Sequence, residues 1–198
     1  MKSLLVATGN AGKLKEIEDI LGSEVSLKNL ADFPDAHEVV EDGDTFEANA
    51  IKKASEMCTL SGLITLADDS GLEVDALDGA PGIYSARFAG PEATDAENNK
   101  KLLGLLADIP DGKRQARFRC VIAIVTPAGD VKTTSGAWEG HIIHDPRGKN
   151  GFGYDPLFFS PKHGKTSAEL EREQKNCASH RGKALRAAKL LILEPLGD

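Results

Sequence analysis

Two adjacent aspartates, Asp68 and Asp69, follow a short apolar run and precede Ser70 and Gly71. Leaving carboxylates unpaired at the end of a buried strand is unfavourable, because removing a charge from water is expensive. A divalent cation relieves that penalty, and Mg²⁺ takes carboxylate oxygens together with phosphate oxygens and water. Neighbouring strand residues point to opposite faces, so we expect one aspartate to face the site and the other to support it. The alternative is an Asp-Ser-Gly turn whose carboxylates cap backbone N–H groups.

The segment from Thr8 to Lys13 (TGNAGK) lies between a predicted strand and a predicted helix. Backbone N–H groups and the positive end of a helix favour phosphate at such a place. A Walker A loop would need glycine at Ala7 and Ser or Thr at Leu14, so a P-loop kinase or ATPase is disfavoured. The alternative is a Gly/Asn turn in which Lys13 is a solvated charge.

The stretch from Gly148 to Pro156 combines glycines with the aromatic residues Phe152 and Tyr154. Glycines beside a ring let the backbone approach a flat ligand, and a base stacked on an aromatic ring gains roughly 1–3 kcal/mol. The alternative is a hydrophobic plug beneath a loop, which suits Phe158 and Phe159 better than Phe152.

The stretch from Lys175 to Lys183 brings together a lysine, a hydroxyl, His180 and Arg181 near the start of the last predicted helix. Cations are usually favoured at the other end of a helix, so their presence here indicates an anionic or carbonyl partner. Hydrogen bonds to a purine oxygen and N–H suit such a set of side chains. The alternative is an ordinary basic surface stretch.

The elements around these segments follow an α/β pattern, in which short apolar runs alternate with amphipathic helices. We predict one mixed α/β domain over residues 1–198. Strands are predicted at residues 3–7, 24–30, 63–67, 116–126 and 131–143. Helices are predicted from residue 12, from residue 44 to about 61, from 94 to 106, from 166 and from 179 to 193.

Composition restricts the class of protein. The formal net charge of −7 provides no global basic field for a nucleic acid polymer or an anionic membrane. Three widely spaced cysteines argue against a disulfide framework or a CxxC zinc site and favour a reducing compartment. The opening apolar run is too short for a signal peptide or a membrane span. We therefore expect a cytoplasmic protein.

With these segments identified, the chain resembles the inosine triphosphate pyrophosphatase family, whose members act on dITP, ITP and XTP. The resemblance is carried by TGNAGK from Thr8, ADDSGLEVDAL from Ala67, GAPGIYSARFAG from Gly79, GFGYDPLF from Gly151 and SHRGKAL from Ser179. These motifs cover nearly the whole chain in the expected order.

The resemblance implies a long twisted mixed β-sheet flanked by helices, two lobes with a central substrate cleft, a homodimer and Mg²⁺ as cofactor. It assigns substrate binding to Thr8, Gly9, Asn10, Ala11, Gly12, Lys13, Lys53, Ser70, Phe152, Gly153, Tyr154, Asp155, Lys175, His180 and Arg181. Asp69 is expected to be the general base or a metal carboxylate. Glu41 and Asp69 are the expected metal ligands, with Asp68 as a possible third.

One departure concerns Ala48, where many relatives carry glutamate before the Asn of the NA pair. This leaves open whether Glu41, Asp42, Asp44 or Glu47 completes the metal site. The implied reaction is attack of a water, oriented by Asp69, on the α-phosphorus with loss of pyrophosphate.

Two other functions stay open. A Maf-like pyrophosphatase would act on other nucleotides, although the SHR and GFGYDP segments speak against it. A nucleotide sensor would bind without hydrolysis, although it would not need the carboxylates Asp68 and Asp69. A purely structural or interaction module explains none of the clustered polar residues.

Overall fold

The structure is a computed structural model that describes residues 3–22 and 24–193. The strands are β1 (Ser3–Val6), β2 (Ser26–Asn29), β3 (Ile64–Val74), β4 (Gln115–Val125), β5 (Val131–Ile142), β6 (Phe158–Ser160) and β7 (Lys165–Thr166). The α-helices are α1 (Ala11–Leu21), α2 (Phe46–Ser61), α3 (Asp95–Leu105), α4 (Arg172–Ala178) and α5 (His180–Leu193). Strands and helices alternate through the first half, as predicted.

The strands form one seven-stranded sheet in the order β2-β1-β3-β4-β5-β6-β7. Strand β1 pairs in parallel with both β2 and β3. Strand β6 pairs antiparallel with both β5 and β7. The sheet is therefore mixed, and helices flank it, which confirms the predicted fold class.

The chain divides into two compact units. The first contains the described residues of Met1–Asp69, Cys120–Gly136 and Arg181–Asp198, and the second contains Ser70–Arg119 and Ala137–His180. Whether they constitute one domain, as the sequence predicts, stays a prediction.

Each unit has its own apolar core. In the first, residues of β1 and α1 such as Leu4, Val6 and Ile17 pack with Leu66 and with Leu185 of α5. In the second, residues of β3, α3 and β4 pack with aromatic side chains, among them Leu72, Leu102, Phe118, Trp138 and Phe158. Apolar burial of this kind stabilises by roughly 25 cal/mol per Å² removed from water.

The predicted helix start at Thr94 is confirmed, whereas the helix predicted from Asp44 is capped one residue later, at Thr45. The Thr45 side chain accepts a hydrogen bond from the N–H of Ala48, and α2 begins at Phe46. Thr94 and Glu97 form a reciprocal capping box at the start of α3. The short helix predicted after Thr166 is a 3₁₀ turn.

The predicted end of the third strand was wrong. Strand β3 runs through Asp68 and Asp69 to Val74, so the aspartates lie within a strand and not in a turn. The reason is the alternation that follows them, since Leu72 and Val74 are fully buried in the second core. The strand at residues 24–30 is shorter than predicted, at Ser26–Asn29.

A separate helix, α4, was also not predicted. It begins after Glu171, whose side chain forms a capping box with Gln174, and it includes Lys175 in its last turn. Glu171 and Gln174 have the spacing of a capping box, but they lie within a run of charged residues that shows no apolar helical pattern. Lys175 therefore lies in a helix of its own, which is separated by one residue from the start of α5.

Candidate active site

Asp68 is the centre of a buried ion cluster in the first unit. Its Oδ2 lies 3.1 Å from Lys13 Nζ and 3.2 Å from both Nε and Nη2 of Arg181. Burial alone would raise the pKa of Asp68, but Lys13, Arg181 and Lys53 together hold that pKa well below its ordinary value. Arg181 also bonds to the carboxylate of Glu16. The charged form of Asp68 is therefore favoured, and its carboxylate holds Lys13 and Arg181 in place.

Asp69, the next residue of β3, has the opposite electrostatics. It is 4% exposed, and its Oδ2 accepts a hydrogen bond of 3.0 Å from Asn49 Nδ2. Burial, followed by repulsion from the Glu41 carboxylate, raises the pKa of Asp69 to about 6 against the attraction of Lys13 and Lys53. Adjacent carboxyls with pKa values pushed apart are typical of a site that separates structural and proton-transfer roles.

Lys53 of α2 joins the two aspartates to the acidic segment before that helix. Its Nζ bonds to the Glu41 carboxylate and donates to the backbone oxygen of Asp68 at 2.9 Å. Burial lowers the pKa of Lys53, but attraction to Asp68, Glu41 and Asp69 outweighs it, so the pKa is raised. Lys53 is consequently a fixed cation.

Residues 41–43 are held along α2 by three contacts. Besides the Glu41–Lys53 pair, Asp42 pairs with Lys52 at 2.7 Å, and the Gly43 N–H donates to Asn49 Oδ1 at 2.8 Å. A Cβ on Gly43 would lie 2.8 Å from that same oxygen, so any larger residue would disturb Asn49. This close packing places Glu41 near Asp69.

Glu41 and Asp69 are the pair of carboxylates that fits a divalent cation. Their mutual repulsion is one cause of the raised Asp69 pKa, and a cation would remove it. Mg²⁺ is commonly held by one or two carboxylates, with phosphate and water completing the shell. Among the residues that the structure describes, no three His, Cys, Asp or Glu side chains gather as a complete metal site.

The predicted phosphate-binding segment is built as the start of α1. Asn10 Oδ1 caps the helix by accepting from the N–H of Lys13 at 3.0 Å, and Thr8 Oγ1 accepts from the N–H of Asn10 at 3.2 Å. Gly9 is exposed, and a Cβ placed there would meet nothing within 4 Å. Ala11 and Gly12 form the first turn, where N–H groups lack intrahelical acceptors. This geometry is suited to an anion.

The predicted aromatic loop lies in the second unit and is organised by Asp155. The Asp155 carboxylate accepts from the Phe152 N–H at 2.9 Å and from Ser167 Oγ at 2.8 Å, and it pairs with Lys175 Nζ at 2.6 Å. A Cβ on Gly151 would lie 2.0 Å from its Oδ2, so that position requires glycine. Asp155 is buried, and its role in the structure is to shape the loop.

Lys175 and His180 bring polar groups to aromatic rings in the same unit. Lys175 Nζ lies 4.7 Å from the centre of the Phe152 ring, a cation–π arrangement. The His180 imidazole stacks on Phe118 with ring centres 4.8 Å apart and an interplanar angle of 15°. The helix α4 and the start of α5 thus hold both side chains firmly.

Tyr154 is placed differently from its neighbours. It is 5% exposed, belongs to the second core and donates its hydroxyl to the Ser85 backbone oxygen at 2.8 Å. Burial raises the pKa of Tyr154 far above its ordinary value. In the structure Tyr154 anchors the loop, and its predicted contact with a base stays a prediction.

The structure thus gathers the predicted residues into two groups. The first unit holds Lys13, Lys53, Glu41, Asp68, Asp69 and Arg181, and the second holds Ser70, Phe152, Gly153, Tyr154, Asp155, Lys175 and His180. Sequence reasoning missed Glu16 and Asn49, which contact Arg181 and Asp69. Asn49 had a signal, since it belongs to the NA pair that the resemblance includes. Glu16 looked like an ordinary charge on α1.

Arg181 was assigned to the base edge by resemblance. The Arg181 side chain is 2% exposed, and its guanidinium contacts the carboxylates of Asp68 and Glu16. These attractions raise its pKa.

Within residues 3–22 and 24–193, no helix combines the length and apolar character needed to cross a membrane.

Comparisons with known proteins are consistent across sequence and structure. The model of the Ham1 family matches residues 4–190. A dITP/XTP pyrophosphatase of Geobacter sulfurreducens is 56% identical over 186 residues, covering 93% of this chain and 94% of the relative. One from Desulforamulus reducens is 54% identical over 186 residues, covering 93% and 92%.

Solved structures are similar as well. A HAM1 protein from Coxiella burnetii has a TM-score of 0.89 and 43% identity, covering 98% of this chain and all of that one. A nucleoside-triphosphatase, or dITP/XTP pyrophosphatase, from Mycobacterium abscessus has a TM-score of 0.76 and 46% identity, covering 94% and 97%.

Proposed function

The chain belongs to the Ham1 family, and on that premise we propose that it hydrolyses dITP, ITP and XTP to the nucleoside monophosphate and pyrophosphate. Relatives that are 56% and 54% identical to this chain are named dITP/XTP pyrophosphatases. The chain is accordingly a nucleoside-triphosphate pyrophosphatase that removes deaminated purine nucleotides from the nucleotide pool.

The observation that carries this proposal is the contrast between Asp68 and Asp69. Asp68 stays charged among Lys13, Arg181 and Lys53, whereas the pKa of Asp69 is raised to about 6. A general base is most effective when its pKa is near the operating pH, since it is then both deprotonated and basic. A ligand sensor would have no use for such a carboxyl.

In the proposed reaction, Asp69 accepts the proton of the water that attacks the α-phosphorus. The bond between the α-phosphorus and its bridging oxygen to the β-phosphate breaks, and pyrophosphate leaves. Asn49 holds one oxygen of Asp69 through its 3.0 Å hydrogen bond. Lys13, Lys53 and the start of α1 bind the phosphate chain and offset the charge on the leaving pyrophosphate.

We propose Mg²⁺ as the cofactor, held by Glu41 and Asp69. When bound, Mg²⁺ would neutralise phosphate charge and lower the pKa of a bound water. Asp68, the possible third ligand, is neutralised by three cations, Lys13, Arg181 and Lys53, which supports the Glu41–Asp69 pair over Asp68. Asp42 is exposed, whereas Glu41 is near enough to Asp69 to raise its pKa, which favours Glu41 over Asp42.

We propose that the second unit reads the base. Phe152 would provide the stacking face, and Lys175 and His180 would donate to the 6-oxo group that deaminated purines carry. Adenine has an amino group there, so these donors would be left unpaired, a penalty that produces strong discrimination. Arg181 is held by two carboxylates, so we assign it mainly to the placement of Asp68.

A cytoplasmic location and a homodimer complete the proposal. Both rest on the family resemblance, and the location also on the cysteines Cys58, Cys120 and Cys177, which are free thiols.

The deciding experiment measures pyrophosphate and orthophosphate release with Mg²⁺ from dITP, XTP, dGTP, dATP and dUTP. We expect pyrophosphate from dITP and XTP and little from the ordinary purine nucleotides. Preference for dUTP or another pyrimidine nucleotide would support a Maf-like enzyme. Silence on every triphosphate, in folded protein, would support the sensor.

A further inference from the structure

Helix α3 holds both backbone groups of Gly153 in the aromatic loop. The Gly153 N–H donates to Asp95 Oδ2 at 2.7 Å, and the Gly153 carbonyl accepts from Asn99 Nδ2 at 2.9 Å. Asp95 and Asn99 are four residues apart on α3, so they lie on one face of the helix. Neither residue belongs to the predicted set of site residues. From this geometry we propose that Asp95 and Asn99 are positioning residues that set the loop for recognition of the base.

We call Asp95 and Asn99 together the clamp. The clamp binds the N–H and the carbonyl of Gly153, the residue that follows the stacking ring of Phe152. Gly153 follows Phe152 and has φ of +61°, a left-handed conformation that favours glycine. On the N-terminal side of the Phe152 Cα, the Phe152 N–H donates to the Asp155 carboxylate. Phe152 is thus fixed before and after its Cα, and the clamp supplies the second of these restraints.

The clamp begins at the capped N-terminus of α3. The capping box of Thr94 and Glu97 fixes the first turn, in which Asp95 is the first residue. An acidic side chain is also stabilised there by the helix dipole. Burial, followed by repulsion from the Asp95 carboxylate, raises the pKa of Tyr154, the residue after Gly153.

The side-chain amide of Asn99 makes fewer hydrogen bonds than that of its neighbour Asn98. Asn98 uses both ends of its amide, donating to the Ala86 oxygen at 3.0 Å and accepting from the Ala89 N–H at 2.8 Å. Asn99 donates to Gly153, but among the described residues its Oδ1 is buried with no hydrogen-bond partner. A buried oxygen without a partner is unfavourable, so the benefit of this amide lies in its contact with Gly153.

This inference rests on the proposed function, because it concerns how the base is distinguished. Without the clamp, the ring and the donors beside it would be less ordered before the substrate binds. Substrate binding would then have to order the loop, which weakens binding of the base without altering the phosphate chemistry. The loss would fall on KM and on discrimination between bases, and kcat would be spared.

The test compares Asn99→Ala and Asp95→Ala with Asp95→Asn, which keeps an acceptor oxygen, and with Asn98→Ala as a matched control on the same helix. Each variant is assayed for pyrophosphate release from dITP and dATP, and its melting temperature is recorded. For Asn99→Ala and Asp95→Ala we expect KM for dITP to rise about tenfold, with kcat within about twofold of wild type. The preference for dITP over dATP should fall by about the same factor.

The controls separate positioning from stability. Asn98→Ala should lower the melting temperature more than Asn99→Ala does and leave KM for dITP unchanged, while Asp95→Asn should restore most of the wild-type KM. Equal KM values in wild type and Asn99→Ala, or parallel losses that follow the melting temperature in all variants, would overturn the proposal. Failure of the proposed function would look different, since the wild-type protein itself would then release no pyrophosphate from dITP.

Discussion

The side-chain amide of Asn49 links Asp69 to the segment that carries Glu41. Its Nδ2 donates to Asp69 Oδ2 at 3.0 Å, and its Oδ1 accepts from the Gly43 N–H at 2.8 Å. Asn49 is completely buried, so both hydrogen bonds are shielded from water. One rigid amide on α2 therefore orients the proposed base and places the proposed metal carboxylate beside it.

Asp69→Asn should abolish turnover while the fold survives. The substitution keeps the shape of the side chain but removes the proton acceptor, and positioned general bases contribute about 10²–10⁴-fold to rate. The measurement is pyrophosphate release from dITP alongside thermal melting. Full activity with wild-type melting would refute the assignment of the base.

The activity should depend on pH through Asp69. A base must be deprotonated, so the rate at low Mg²⁺ should fall as the pH drops through about 6, the raised pKa of Asp69. Mg²⁺ favours the charged carboxylate and should move this midpoint to lower pH. Carboxyl NMR titration of the metal-free protein checks the starting value. A midpoint near the ordinary 3.8 that is insensitive to Mg²⁺ would contradict both assignments.

Asp68→Asn should destabilise the protein strongly. It leaves the buried guanidinium of Arg181 and the Lys13 ammonium without their shared anion, and breaking a buried pair costs about 3–5 kcal/mol. Because the pKa of Asp68 is lowered in the folded state, its stabilisation is present above the unfolded pKa and is lost as the pH falls below it.

Urea unfolding between pH 3 and pH 7 measures both effects. Asp42→Asn is the matched control, since Asp42 also pairs with a lysine at 2.7 Å but on the surface. Water and salt screen such a pair, so no measurable change is expected there. Comparable losses in the two variants would show that burial does not set the strength of the Asp68 cluster.

Lys175→Met should reduce discrimination between bases. The substitution keeps the length of the side chain but removes the cation over Phe152 and leaves the Asp155 carboxylate without its 2.6 Å partner. We expect kcat/KM for dITP to fall about tenfold or more and that for dATP to change little, because adenine has no 6-oxo acceptor for the Lys175 ammonium. An equal decrease for both nucleotides would mean that Lys175 acts only through the fold.

Much of the first half of the fold could be predicted from local signals. Helix α2 ends at Ser61 as predicted and is capped one residue after the predicted Asp44, and α3 starts at the Thr94 capping box. These signals are local, because a cap and the helix that it starts are adjacent in sequence. The end of β3 could not be predicted this way. Whether a strand continues past Asp69 depends on the burial of Leu72 and Val74 by distant elements.

By itself, the sequence determined the residue types, their order and hence the family, together with the adjacent carboxylates and the capped start of α1. Only the tertiary structure decided the charges of those groups. Asp68 and Asp69 are identical and adjacent, yet the cations around one lower its pKa, and burial with Glu41 raises the other. The same holds for Arg181, which meets Glu16 across 165 positions of sequence. A pKa depends on burial and on charges a few ångströms away in space, and spacing along the chain does not contain that information.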